Sequence, residues 1–374
     1  MGYYRSSAVI WKGSYFVIWL FFLGTINTFA EVIPSFQGQE AVQTQVESKD
    51  LNVRSIGNVS ISNSFGSMKV VGWPLDKIRV RLVKTYEKGG TDFSVVQLKT
   101  LEDKNGNLEI RTLLKEGLDI REKLKLRENL PVQTYLEVKA PSQLNLRLFT
   151  KKGSVELKRW RSTTQIRTRT GKVKVDDFSG RNLQVLCFSC PVHLSSIESS
   201  LKVSSGQGDI QLHGAHGKTL YLESSSGKMT LSSVIGEMTL VTQSGAIEGS
   251  GVNGKVEFAT ESGNVWLKKS RGFVSGHTDT GDIRAEMNEW TFVDRALIES
   301  LDGNISLTVP QSFRADIQLV SVFGQVQSEF SIDRRNEKMI GPMPANQIHG
   351  TIRRGKGQIK LVTQAGDIRL VKGY

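Results

Sequence analysis

Glycine recurs along this chain at a nearly fixed step, and that step limits the fold more than any other feature. Gly153, Gly171, Gly208, Gly227, Gly245, Gly263, Gly281 and Gly303 follow one another at intervals of 18, 37, 19, 18, 18, 18 and 22. The interval of 37 splits into 19 and 18 if Cys190 fills a glycine slot, as CPVHL beside GKVKV suggests. The period is therefore about 18 residues from 153 to 281, with looser copies at Gly66, Gly324, Gly357 and Gly366. A short repeat of this kind cannot bury an apolar face alone, but a stack of repeats can.

The columns of the repeat give each coil its pattern. Two residues after each glycine stand Met68, Val155, Val173, Val192, Ile210, Met229, Ile247, Val265, Ile283, Ile305, Val326, Ile359 and Ile368, all aliphatic or Met. The next position is polar in every copy but one, where Trp266 stands. This is period-two alternation, with one face buried and one wet. Three residues before the glycine stand Thr150, Thr168, Cys187, Ser205, Ser224, Thr242, Thr260, Thr278, Ser300, Ser321 and Thr363, a small and mostly hydroxylated column. Between glycines lies a second strand, as in EMTLVTQS and KVEFATES. Each unit thus holds two short strands and two turns. The expected fold is all-β: a β-solenoid, parallel β-helix-like, of two-strand repeats of about 18 residues. The competing architecture is an antiparallel meander folded into a β-sandwich. Residues 115–130 read as one short helix or a charged excursion. Residues 31–50 are polar and read as a flexible lead. Residues 51–374 read as one solenoid domain, irregular over 51–145, regular over 146–308 and capped by atypical repeats over 309–374.

The chain has 374 residues, 38% of them hydrophobic, which excludes disorder and a polytopic membrane protein. Two cysteines cannot staple a fold of this size. Arg5 and Lys12 precede the unbroken apolar run YFVIWLFFL at 15–23, and Thr28 and Ala30 are small residues ahead of a cut. Residues 1–30 therefore read as a secretory signal, with an uncleaved N-terminal anchor as the alternative. The protein is expected to be exported to the periplasm or the cell surface. Without residues 1–30 the chain keeps 47 basic against 37 acidic side chains, a net charge of +10.

Motifs that suggest chemistry fall on repeat positions. Asp279-Thr280-Gly281 spells an aspartic-protease triplet, but that chemistry needs a second carboxylate and the same slot elsewhere reads QSG or ESG. Cys187 and Cys190 lie at a strand-to-turn junction rather than at a helix start, so they read as a local disulfide or two free thiols, not a redox centre. His213 and His216 lack the companions of a metal site. The Gly-Asp pairs at 208–209, 281–282 and 366–367 are too irregular for a calcium-binding roll. Catalytic residues, metal ligands and cofactors are not expected.

A basic run is the feature that most suggests a partner. From Arg147 to Arg181 there are eleven Lys or Arg and three acids. Arg147, Lys151, Lys152, Lys158, Arg159, Arg161, Arg167, Arg169, Lys172 and Lys174 are candidates for a polyanion patch, with acidic glycan, lipopolysaccharide or extracellular DNA as partner. The other reading is a solvated face that keeps strand edges from pairing. Trp160 and Trp266 are candidates for stacking on a sugar ring, or for packing under a loop.

Segments such as ISNSFGSMKVVGW, LFTKKGSVELKRW, TDTGDIRAEM and LVTQAGDIRLVKGY resemble the bacterial adhesin-like family of DUF4097 type, related to auto-transporter adhesin heads, over residues 50–374. The resemblance implies an exported β-solenoid and supplies no catalytic residues. The leading expectation is a non-enzymatic, adhesin-like binding protein with a basic surface. The rivals are a periplasmic structural or envelope-associated protein and, further off, a polysaccharide lyase on a parallel β-helix.

Overall fold

Each coil gives one strand to each of two parallel sheets whose inner faces share a core. The computed structural model describes residues 28–31, 43–53, 57–86, 93–128, 132–291, 294–334 and 346–373. In the first sheet the residue two after the glycine stacks in register: Val155 on Val173, then Val192, Ile210, Met229, Ile247, Val265, Ile283 and Ile305. In the second sheet the hydroxyl column stacks: Thr150, Thr168, Cys187, Ser205, Ser224, Thr242, Thr260, Thr278 and Ser300. In the middle coils both strands join into one, as in Met229–Thr242 and Ile247–Thr260, which turn from sheet to sheet at the stacked Gly236 and Gly254. Alternate side chains point inward and form one apolar core from Val59 to Leu370. The fold is a β-solenoid. Antiparallel pairing, the basis of the sandwich alternative, is confined to its two ends.

The S/T-x-x-G pattern has a hydrogen-bonding cause. Thr260 Oγ1 accepts the Gly263 N–H at 2.9 Å, and the same bond recurs at Ser224–Gly227, Thr242–Gly245, Thr278–Gly281, Ser300–Gly303, Ser321–Gly324 and Thr363–Gly366. Several hydroxyls donate in turn to the glycine carbonyl of the neighbouring coil, as Thr363 does to Gly303 at 3.0 Å. Where both bonds form, as at Ser224, Ser300, Ser321 and Thr363, the buried hydroxyl satisfies a turn amide and ties two coils together. The glycine itself is dictated by space. A Cβ on Gly245 would overlap the Gly227 carbonyl, and one on Gly263 would overlap the Gly245 carbonyl. Gly208 rests on the Cys190 carbonyl, so Cys190 does occupy a glycine slot. It is joined to Cys187, with Cα atoms 6.0 Å apart.

The position after the glycine carries a second ladder. Asp282 N–H donates to Asn264 Oδ1, Asn304 N–H to Asp282 Oδ1, Asp367 N–H to Asn304 Oδ1 and Gln325 N–H to Asp367 Oδ1, each at 2.9 Å. The Gly-Asp pairs therefore serve coil-to-coil hydrogen bonding.

At the far corner the backbone turns left-handed. Arg159, Asp177, Ser196, Gly214, Ser233, Gly251 and Lys269 all have φ between 51° and 65°. This kink shifts the alternation by one, so the following residue points inward in every coil: Trp160, Phe178, Ile197, Ala215, Val234, Val252 and Ser270 are all buried.

Coil order departs from chain order at both ends. Gly66–Trp73 lies between Val132–Pro141 and Val155–Trp160. At the other end Gly357–Thr363 inserts between Arg295–Ser300 and Ala315–Ser321, and Ile368–Gly373 inserts between Ile305–Pro310 and Val326–Ser328. Gly357 is consequently not a turn glycine of the column. Its neighbour Ile359 pairs with Ala296 and Ile317 in the second sheet, because the turn glycine of this coil is Gly366, three residues after Thr363 of the hydroxyl column. Helix Ile120–Glu128 opens with a capping box, Asp119 Oδ1 accepting the Glu122 N–H and Glu122 Oε2 the Asp119 N–H.

The polar lead is a strand over some of its length. Gln43–Asn52 pairs antiparallel with Lys77–Tyr86, and its side chains are exposed or half-buried, which is why it needs few apolar ones. Residues 1–27 of the expected signal lie outside the described residues, and Thr28–Glu31 pairs with Gln43–Asn52.

Candidate binding face

Four consecutive strands of the second sheet present a continuous outer surface. They are Asn145–Lys152, Thr164–Thr170, Asn182–Ser189 and Ser200–Gln207. Leu146, Leu148 and Thr150 point into the core, so Arg147, Phe149 and Lys151 point out. The register then sets their neighbours. Arg147 lies beside Gln165, Gln184 and Lys202. Phe149 lies beside Arg167, Leu186 and Ser204. The row that begins at Lys151 continues through Arg169, Phe188 and Gly206.

This surface is acid-free and basic. Arg147, Lys151, Arg167 and Arg169 are exposed, and none takes part in an ion pair among the described residues. Phe149 is 41% and Phe188 65% exposed, and Leu186 lies half-buried between them in register. Gly206 leaves the flank of Phe188 without a side-chain neighbour. Lys202 stands over the Tyr221 ring, and Glu223, which accepts a hydrogen bond from Ser204 at 3.2 Å, marks the border. A groove of about 400 Å³ lies among Ser60, Arg147, Leu148, Phe149, Gln165 and Arg167.

The ten basic residues of the sequence do not form one patch. Arg147, Lys151, Arg167 and Arg169 share the outer face of the second sheet, with Lys152 and Lys172 at the adjoining turn edge. Lys158 and Lys174 lie on the first sheet, on the opposite side of the core. Lys158 is paired with Glu156 at 2.9 Å, and that lysine, helped by Lys69 and Lys174, holds the Glu156 carboxyl below its usual range. Arg159 and Arg161 sit at the kinked corner, where Arg161 pairs with Asp177 at 2.6 Å. On the first sheet, burial holds the His193 imidazole below its usual range, and Lys172 and Lys174 add to the effect.

The two tryptophans have opposite environments. Trp160 is fully buried and its Nε1 donates to the Leu144 carbonyl at 3.0 Å, so it cannot stack on a glycan. The left-handed kink at Arg159 turns it inward, against simple alternation. A column seven residues after each glycine slot, from Trp160 to Ser270, carries that signal in the sequence. Trp266 is 40% exposed on the first sheet, with the Lys268 ammonium 3.9 Å from its ring centre. Phe149, Phe188 and Lys202 escape a reading based on charge runs; aligning outward positions across successive coils finds them.

No curated protein matches the chain. Three solved structures are similar to it at low identity. A candidate cell adhesion protein from Clostridium sporogenes is 12% identical, covering 88% of this chain and 100% of its own, with a TM-score of 0.23. A candidate adhesin from Bacteroides fragilis is 12% identical, covering 87% and 97%, with a TM-score of 0.27. A candidate lipid binding protein from Parabacteroides distasonis is 13% identical, covering 87% and 97%, with a TM-score of 0.29. The model of the Toastrack DUF4097 family matches residues 37–371, and with nearly the whole chain inside that match the protein belongs to the Toastrack DUF4097 family.

Proposed function

We propose that the protein is an exported, non-enzymatic, adhesin-like binding module whose second-sheet face engages polyanions of the cell envelope or its surroundings. The observation that carries this reading is the cluster of Arg147, Lys151, Arg167 and Arg169, without ion-pair partners among the described residues and adjacent on an acid-free surface. Cations held without partners on a rigid sheet raise the local concentration of anions and meet them without reorganising. The signal-like segment at 1–30 supports export, to the periplasm or the cell surface, and the Cys187–Cys190 bridge suits an oxidising compartment.

Retention on immobilised heparin tests the face. Reversing charge at Lys151, Lys152, Arg167 and Arg169 is expected to lower the salt needed for elution and flatten the salt dependence of binding. Reversing Lys158 and Lys174, on the opposite side, is expected to change elution little. Equal retention of the first variant and the unaltered protein would remove the polyanion reading. Protease treatment of intact cells, with a periplasmic marker as control, separates surface display from a place inside the envelope.

A further inference from the structure

We infer that the second-sheet face docks on the surface of an anionic lipid bilayer, with Phe149 and Phe188 entering the headgroup region between cations that meet lipid phosphates. This inference rests on the polyanion reading and names its partner. A soluble polyanion needs only the charges. It gives no reason for two phenylalanine rings, 41% and 65% exposed, to interrupt a basic surface. The two rings sit in different rows and on different strands. Phe149 lies directly beside Arg167, which lies beside Leu186, and Phe188 follows two residues after Leu186 on the same strand. Apolar Phe149, Leu186 and Phe188 are thus interspersed with cationic Arg147, Lys151, Arg167, Arg169 and Lys202, over a patch about 14 Å on each side, from the spacing of residues and strands in a sheet. A surface lying in a bilayer interface is built this way: aromatic groups sit at the acyl boundary and basic groups at the phosphates. The four strands are also free of acids, and so complementary in charge to an extended negative surface.

Phe188 is held at its place by its turn. It stands between Cys187 and Cys190, which occupy the hydroxyl and glycine slots and are joined. The coil that departs from S/T-x-x-G is therefore the one that carries the most exposed ring on this face.

Sedimentation with lipid vesicles tests the inference, using phosphatidylcholine alone or mixed with phosphatidylglycerol. Phosphatidylcholine vesicles control for the apolar segment 15–23, whose insertion needs no lipid charge. The unaltered protein is expected to bind mixed vesicles more tightly than uncharged ones. The double variant Phe149→Ser/Phe188→Ser is expected to weaken binding to mixed vesicles about tenfold or more while its heparin elution stays unchanged. Arg167→Glu/Arg169→Glu is expected to lose both. If the protein holds to heparin but not to mixed vesicles, or if the phenylalanine variant binds vesicles like the unaltered protein, the bilayer inference falls and the polyanion reading stands. Loss of single-stranded DNA binding in the phenylalanine variant, with vesicle binding unchanged, would reassign the rings to base stacking. Failure on both heparin and vesicles overturns both readings.

Discussion

Two kinds of glycine serve this fold, and they differ in what they forbid. Gly245 lacks a side chain because a neighbouring carbonyl occupies the space, whereas Gly214 has open space around its Cβ position and a left-handed φ of 62°. Gly245→Ala must push adjacent coils away from each other, at about 3 kcal/mol, in the range of overpacked cores. Gly214→Ala meets only backbone strain, offset to some extent by a stiffer unfolded chain, at under about 1 kcal/mol. Denaturant titration separates the two, and equal losses would contradict the assignment. Ser196 and Ser233 hold the same left-handed conformation without glycine, each followed by a fully buried side chain, Ile197 or Val234.

At the scale of the strand, a residue's neighbours come from coils 18 or 19 residues away, so its electrostatics depend on register. His193 stacks between Lys174 and Gln211, and its imidazole is held neutral by burial and by Lys172 and Lys174. A base whose folded pKa lies below its unfolded value takes up a proton on unfolding. The stability it supports is therefore complete above its ordinary value of 6.5 and declines as pH falls through that value. Between pH 7 and pH 5 the Tm of the unaltered protein is expected to drop further than that of His193→Gln; parallel curves would refute this. The same register explains the Asx ladder. Asp282 and Asn304 accept amides 22 and 63 residues further along the chain, from Asn304 and Asp367.

The whole molecule is a stack whose last coil is threaded inside it. Ala315–Ser321 pairs only with Asn346–Ile352 and Gly357–Thr363, and Val326–Ser328 only with Ile368–Gly373, among the described residues. A solenoid built in chain order loses its final coil with little effect on the coils before it. Truncation after Arg334 should instead strip every strand partner from residues 315–328 and bare the edges at Arg295–Ser300 and Ile305–Pro310. Limited proteolysis is expected to remove the segment after Pro310 from the truncated chain, together with a marked drop in denaturant midpoint. A truncated chain that resists cleavage there would show that the threading is dispensable.

Much of this was legible in the sequence because a repeat writes its contacts locally. The aliphatic and hydroxyl columns name the core, the 18-residue step names the coil, and Cys190 in a glycine slot is visible from its neighbours. These features are determined by chemistry within one repeat: alternation, a capped turn and a close backbone approach. Three matters were decided by tertiary structure. The sequence holds the mostly apolar column that contains Trp160, but the left-handed backbone at Arg159 that turns it inward is set by the fold, because backbone conformation rather than side-chain type sets parity there. The threading of Gly357–Gly373 placed Gly357–Thr363 between Arg295–Ser300 and Ala315–Ser321, because strand order at an end depends on which edge is free when the chain returns. The division of the basic run between opposite faces followed from the two-sheet cross-section, which sends residues close in sequence to surfaces separated by the whole core.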